Sequence, residues 1–380
     1  MLRLINRLRL KLKGGVWTIK PQGLPKGRTL ISYTTLPFMS GNGALSAHTN
    51  RWECKEIANT FLNRGYVVDV IDWDRPFIPK TRYDFLIDVR PDMERLAEKL
   101  NNDCYKVFHA TGAHWDFQNR AEIRRIADIE MRRGKKLTPR RLQREGHSAE
   151  TADIITSLGN DFTISTYAFA KKDIVRIPIS TTRLFPSPES KNFETARNSF
   201  VWIGGAGMAH KGLDLVLEAF SGMPELILTV FGKGDSDFMD VYKKELFETA
   251  NIKYEGYVDI GSERFSKVVE ASLALVFPSC SEGGGGSAIE CMHAGLIPIV
   301  SREASVDVED FGIILRENTI EEIRAQAQHL ASLPTEALKR SAIKAWEYAR
   351  KRHTRESFSL AFRSFVERIE QERYHKSHEM

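Results

Sequence analysis

Two glutamates bracket a run of glycines in Ser279-Cys280-Ser281-Glu282-Gly283-Gly284-Gly285-Gly286-Ser287-Ala288-Ile289-Glu290. Residues without side chains let a ligand come close to the backbone. The apolar run Ala274–Phe277 before the turn and the periodic Ala288, Ile289, Met292 and Leu296 after it predict a strand, a loop and a helix start. The free N–H groups and dipole of a helix start favour an anion such as a phosphate. Ionised carboxylates only accept hydrogen bonds, so Glu282 and Glu290 suit a hydroxyl-rich ligand. Gly-rich stretches also serve as flexible linkers, but a linker rarely sits between an apolar strand and an apolar-periodic segment. Glu290 has a plainer alternative, complementing the helix dipole, and Lys211 has one as a surface lysine near a helix start.

Those residues need a scaffold, and the pattern around them supplies one. Strands are expected at Arg28–Tyr33, Tyr66–Ile71, Phe85–Val89, Lys106–His109, Ile154-Ile155 and Ile174–Ile177. A second series follows at Phe200–Ile203, Leu226–Phe231, Tyr254–Tyr257, Leu273–Phe277 and Ile297–Val300. Helical patterns fall between strands, at 47–63 and 93–100 among others, which implies α/β architecture with parallel sheets covered on both faces. The segment Ser180–Asn198, with Pro186 and Pro188, reads as the connection between two such sheets. The expected layout is residues 1–190 as one Rossmann-like domain, 191–350 as a second, and 351–380 as a helix returning to the first. Ligands of open sheets bind at the carboxyl ends of the strands, where the glycine stretch sits.

With 380 residues, 42% hydrophobic and 28% charged, the chain describes a globular protein able to build two cores. The net charge of +5 is mild and points to no nucleic-acid partner. Cys54, Cys104, Cys280 and Cys291 show no C-x-x-C pairing, which fits a reducing, cytoplasmic location. No apolar run is long enough to span a bilayer. Met1–Lys13 mixes basic and apolar residues as an interfacial helix or a frayed leader would. Arg132, Arg133, Lys135, Lys136, Arg140, Arg141 and Arg144 form a basic run, expected as a solvated face, with contact to an anionic acceptor or the inner face of a membrane as the functional alternative.

The order Gly204-Gly205, His210-Lys211-Gly212, Phe231-Gly232-Lys233-Gly234, Pro278-Ser279 and Glu282 through Glu290, followed by Ala294–Pro298, resembles the donor half of family-four glycosyltransferases. These are retaining enzymes of the GT-B fold, two doubly wound domains facing each other across a cleft, and the two glutamates match their E-x7-E motif. In the first half the likeness is looser, resting on Gly41–Gly43, His109 and the segment from Asp153 to Pro178. The resemblance implies that Glu290 binds the ribose of a nucleotide sugar and Glu282 the hydroxyls of the transferred sugar. Gly283, Gly284, Gly285, Gly286 and Ser287, with Gly204 and Gly205, would approach sugar and diphosphate, and Lys211 would neutralise the leaving group. His109 would face the sugar, although a lone histidine is as often structural; His114 is a weaker candidate for the acceptor. The chain departs from the family where an arginine usually precedes the lysine, having Gly205-Ala206-Gly207 instead. Phosphate stabilisation is then expected to rest more on Lys211, on backbone amides, or on another basic residue such as Lys233.

Asp72-Trp73-Asp74 resembles the metal-holding D-x-D of another transferase fold, but it lies in the half without the phosphate pattern, so a metal-independent enzyme is expected. No cofactor is expected beyond the nucleotide sugar as donor substrate. The acceptor would be a glycan, a lipid-linked species or a small molecule, placing the protein in glycan synthesis at the cell surface. A nucleotide-sugar epimerase and a non-catalytic protein binding a nucleotide sugar or an anionic surface are the alternatives.

Overall fold

The computed structural model describes residues 14–39 and 48–378. The expected Gly41–Gly43 loop and the Met1–Lys13 segment lie outside the described residues.

Among the described residues the chain builds two sheets. The first comprises β1 (Val16–Ile19), β2 (Gly27–Tyr33), β3 (Tyr66–Asp72), β4 (Phe85–Asp88), β5 (Tyr105–Ala110), β6 (Ile154–Ser157) and β7 (Ile174–Arg176), in the order β1-β3-β2-β4-β5-β6-β7. All its pairings are parallel except β1 with β3. The second comprises β8 (Ser199–Gly204), β9 (Ile227–Gly232), β10 (Ile252–Gly256), β11 (Ala274–Phe277), β12 (Ile297–Ser301) and β13 (Ile313–Leu315). Its order, β10-β9-β8-β11-β12-β13, is parallel throughout and reverses direction at β8. Such a reversal leaves a crevice at the carboxyl ends of the two middle strands. Gly204 ends β8, and the glycine stretch follows β11, its neighbour.

Two of these strands escape the sequence pattern. Four-residue β1 is an antiparallel edge, and three-residue β13 carries too few positions to show a period. The expected helix over 93–100 shortens to the single turn Glu94–Ala97.

The helix Thr49–Asn63 explains much of the first core. Its apolar stripe Cys54, Ile57, Ala58 and Phe61 is fully buried, and Phe61 meets Phe85 of β4 at 5.4 Å between ring centroids. The long helix Arg355–His378 lies across it. Phe358, Phe362, Phe365 and Ile369 are buried, and Phe358 meets Trp52 edge-on at 5.8 Å. Each buried ring contributes about 1.5–3 kcal/mol. Lys26 (2.7 Å) and Arg64 hold Glu370 of that helix to the first sheet. The final helix of a chain whose preceding segment covers the second sheet thus rests on the first.

The basic run is neither a free surface nor a plain solvated face. The helix Trp115–Arg133 and the irregular stretch after it run along the second sheet's helix Leu213–Phe220. Arg132 reaches Asp214 (2.7 Å) and Glu218 (3.1 Å), and Arg133 reaches Glu218 (3.3 Å) and Glu245 (2.8 Å). Arg140 pairs with Asp237 at 2.8 Å. Those arginines brace one half against the other, while Lys135, Lys136 and Arg144 face solvent.

Candidate functional site

A cleft of about 920 Å³ opens between the carboxyl edges of the two sheets. Its C-terminal wall carries Lys211, Glu282, Gly283, Gly285, Gly286, Ser287 and Glu290, with Gly204 and Gly205. Its opposite wall carries Tyr33, Glu53, Trp73, Phe108, Thr111 and Tyr167.

Lys211 sits on the loop after β8, fastened by the Trp202 indole N–H donating to its carbonyl at 3.1 Å. Its Nζ donates to Glu282 Oε1 at 2.5 Å and rests 5.2 Å from the centre of the Phe277 ring. The Ser279 hydroxyl donates to the same carboxylate at 3.0 Å. Burial pushes the Glu282 carboxyl up, but the charges of Lys211, Arg141 and His210 outweigh it and hold the group at about 2. An ionised acid and an ammonium are therefore kept together at the mouth of a helix. That pair can accept sugar hydroxyls on one side and meet phosphate on the other.

The glycines have a second reason to be glycines. A Cβ on Gly283 would lie 2.3 Å from the Thr111 carbonyl oxygen and 2.5 Å from the Gly112 Cα. Those are backbone atoms of the opposite half, so the loop both lines the cleft and seats one half on the other. The Thr163 hydroxyl, also from the first half, donates to the Glu282 carbonyl at 3.1 Å. The helix Gly286–His293 then begins, with Gly285 as its cap.

Glu290 lines the cleft but is not free. One carboxylate oxygen accepts the Thr182 N–H at 2.6 Å and the other the Thr181 hydroxyl at 2.9 Å. Burial raises its pKa, and those bonds work against the rise. The connecting segment is thus tied to the carboxylate expected to face a ribose.

Other expected residues fall elsewhere. His109 is completely buried behind the cleft wall, its Nδ1 2.7 Å from the Thr156 hydroxyl and its ring edge-on to Tyr33 and Phe362. Burial lowers it to about 4, so it is a neutral core ring, and Phe108 lines the cleft instead. A strand reverses side-chain direction at each residue, so Phe108 and His109 point to opposite, covered faces of the sheet. Lys233 points to solvent away from the cleft lining. His114 packs among Trp115, Tyr167 and Phe169. In Asp72-Trp73-Asp74, Asp72 closes a turn, accepting the Thr35 N–H at 2.7 Å and hydroxyl at 2.8 Å, while Trp73 and Asp74 line the cleft. Among the described residues no group of three His, Cys, Asp or Glu is placed to hold a metal ion. Nor is any described helix long and apolar enough to cross a membrane.

Of two further cleft residues, the sequence shows Arg141 only as part of the basic run and does not single out Glu53. Arg141 reaches the site from the first half. Glu53 is fully buried; its Oε1 accepts the Ser180 N–H (2.9 Å) and hydroxyl (2.8 Å), and among the described residues its Oε2 has no partner. Burial lifts it to about 7. Its signal was present in sequence, an acid on the apolar stripe that continues through Ile57 and Phe61.

Residues 189–344 match the family model described as glycosyl transferases group 1. Among solved structures, the sucrose-phosphate synthase of Thermosynechococcus elongatus is similar at 14% identity and a TM-score of 0.61, over 91% of this chain and 99% of that one. WaaG, a glycosyltransferase of lipopolysaccharide biosynthesis, is 14% identical with a TM-score of 0.55, over 88% and 98%. The fold is GT-B. TarM of S. aureus, solved with UDP, is 16% identical with a TM-score of 0.54 over 73% of this chain, which spans about half (54%) of TarM. No curated protein matches the chain.

Proposed function

We propose that this GT-B protein is a glycosyltransferase that moves a sugar from a nucleotide-sugar donor to an acceptor hydroxyl in the cleft, with retention of configuration. The observation that carries the reading is the Lys211–Glu282 pair beside the glycine-lined helix start, at the carboxyl edge of the sheet whose sequence matches the glycosyl transferase family. HepE of Anabaena, 11% identical with a TM-score of 0.54, is solved with UDP and glucose, which supports the same donor class.

In this reading Glu290 accepts from the ribose hydroxyls, exchanging Thr181 and Thr182 for the ligand. Backbone N–H groups of Gly283–Ser287 approach the sugar and diphosphate. Glu282, held ionised, accepts sugar hydroxyls. Lys211 meets the negative charge that develops on the departing diphosphate, where a preorganised cation is worth most. The transition state has oxocarbenium character, and the leaving phosphate oxygen takes the acceptor proton. With Lys211 and backbone amides carrying the phosphate charge, the scheme needs no divalent cation. His109 has no part in it, because its ring does not reach the cleft. The acceptor enters along the aromatic wall of Trp73, Phe108 and Tyr167, and is a glycan, a lipid-linked species or a small molecule of cell-surface glycan synthesis.

The test is a mass-spectrometric screen of UDP-, GDP- and ADP-sugars with candidate acceptors. One donor class should be consumed, releasing nucleoside diphosphate and a product of unchanged anomeric configuration by NMR. A donor that binds yet is only epimerised, or no donor binding, would sink the assignment.

A further inference from the structure

Arg141 has a clamped backbone and a free head. Its N–H donates to both Glu122 oxygens at 3.0 Å, and its carbonyl accepts the Gln118 side chain at 2.5 Å. The residue before it, Arg140, is tied to Asp237 of the second half. Yet among the described residues the Arg141 guanidinium makes no hydrogen bond or ion pair, unlike Arg132, Arg133 and Arg140 on the same run.

That head faces the cleft beside Lys211, Glu282, Gly204 and Gly205. Its stem lies on the backbone of Gly207, where a Cβ would come within 2.7 Å of the Arg141 Cγ. Gly207 also has φ +85°, which a side chain would strain. The loop after β8 thus leaves room for an arginine arriving from the other half. Lys211 is ion-paired with Glu282, so a dianionic group entering here meets one paired cation and, among the described residues, one without an ion pair.

We infer that Arg141, supplied by the N-terminal half, binds the diphosphate of the donor opposite Lys211. The inference rests on the nucleotide-sugar reading above and adds to it a phosphate contact that crosses the cleft. The guanidinium fork suits two phosphate oxygens at once. Its consequence is that the diphosphate itself ties the two halves together.

Isothermal titration of UDP, GDP and ADP, and of uridine, guanosine and adenosine, against wild type, Arg141→Ala, Arg141→Lys and Gly207→Ala tests this. The diphosphate bound by wild type should bind Arg141→Ala roughly tenfold to a hundredfold more weakly, the size of a charge-assisted contact. The matching nucleoside should bind both equally, Arg141→Lys should recover part of the loss, and Gly207→Ala should weaken the diphosphate alone. Thermal melting of Arg141→Ala should stay close to wild type, since among the described residues the head makes no hydrogen bond or ion pair. Equal diphosphate binding by wild type and Arg141→Ala overturns the inference and leaves the donor reading standing; parallel loss of nucleoside binding also overturns it, as a structural effect. Wild type that binds none of the three diphosphates removes the donor reading, and the inference with it.

Discussion

The two walls of the cleft are built on opposite electrostatic terms. The C-terminal wall holds its acid ionised, with Glu282 pulled down to about 2 by Lys211 and its neighbours. The N-terminal wall makes its acid harder to ionise, with Glu53 pushed up to about 7 by burial. The charged wall suits phosphate and sugar hydroxyls. The aromatic side chains of the N-terminal wall, Trp73, Phe108 and Tyr167, suit a ligand that brings its own apolar face. A fixed charge pair is matched to one class of ligand, whereas an aromatic wall can be shared among many, so the C-terminal wall is the more narrowly specified of the two.

Breaking the charged wall should have the largest effect. Lys211→Met leaves the buried Glu282 carboxylate without its closest partner and should cost about 3 kcal/mol of stability by urea unfolding. Lys211→Met with Glu282→Gln should recover most of that loss while donor binding stays impaired. If the single variant is as stable as wild type, the pair is not what holds the wall.

The pH dependence separates the walls by sign. Glu53 titrates higher folded than unfolded, so its contribution is present at low pH and is lost as pH rises through about 7, on the order of 3 kcal/mol in all. Glu282 titrates lower folded than unfolded, so its contribution is present above the unfolded carboxylate range and is lost as pH falls toward 2. Glu53→Gln should therefore remove the loss of stability between pH 5 and pH 8 and leave the acid limb in place. A wild-type curve that is flat over that interval would contradict the Glu53 assignment.

Joining the walls is the smaller matter. Gly283→Ala puts a methyl group against the Thr111 carbonyl and should cost about 1–3 kcal/mol, with a matching loss of donor affinity, because the two halves must part slightly. An unperturbed variant would mean the contact yields without consequence.

The C-terminal wall was largely legible in the sequence because its residues lie close together in the chain. Glu282 to Glu290 follow an apolar strand and open a helix, and Lys211 follows another strand by a few residues. What was not legible depends on distant pairing. Nothing local tells that Arg132 and Arg133 meet Asp214, Glu218 and Glu245, so the basic run reads as a surface. Arg141 lies far in sequence from Gly207 and reaches it only because the two halves dock. His109 fails for a simpler reason, the side-chain alternation of β5. Strands β1 and β13 are too short for a period, and their place at or near a sheet edge comes from neighbours rather than from their own residues.

The central claim is that the C-terminal wall binds a nucleotide sugar through Glu290, the glycine loop and Lys211. Isothermal titration of UDP-, GDP- and ADP-sugars against wild type, Glu290→Gln and Glu290→Ala tests it most directly. The account predicts that wild type binds at least one of these donors and that both variants bind it at least roughly tenfold more weakly, the size of a lost charged hydrogen bond. Unchanged donor binding by Glu290→Ala would contradict it.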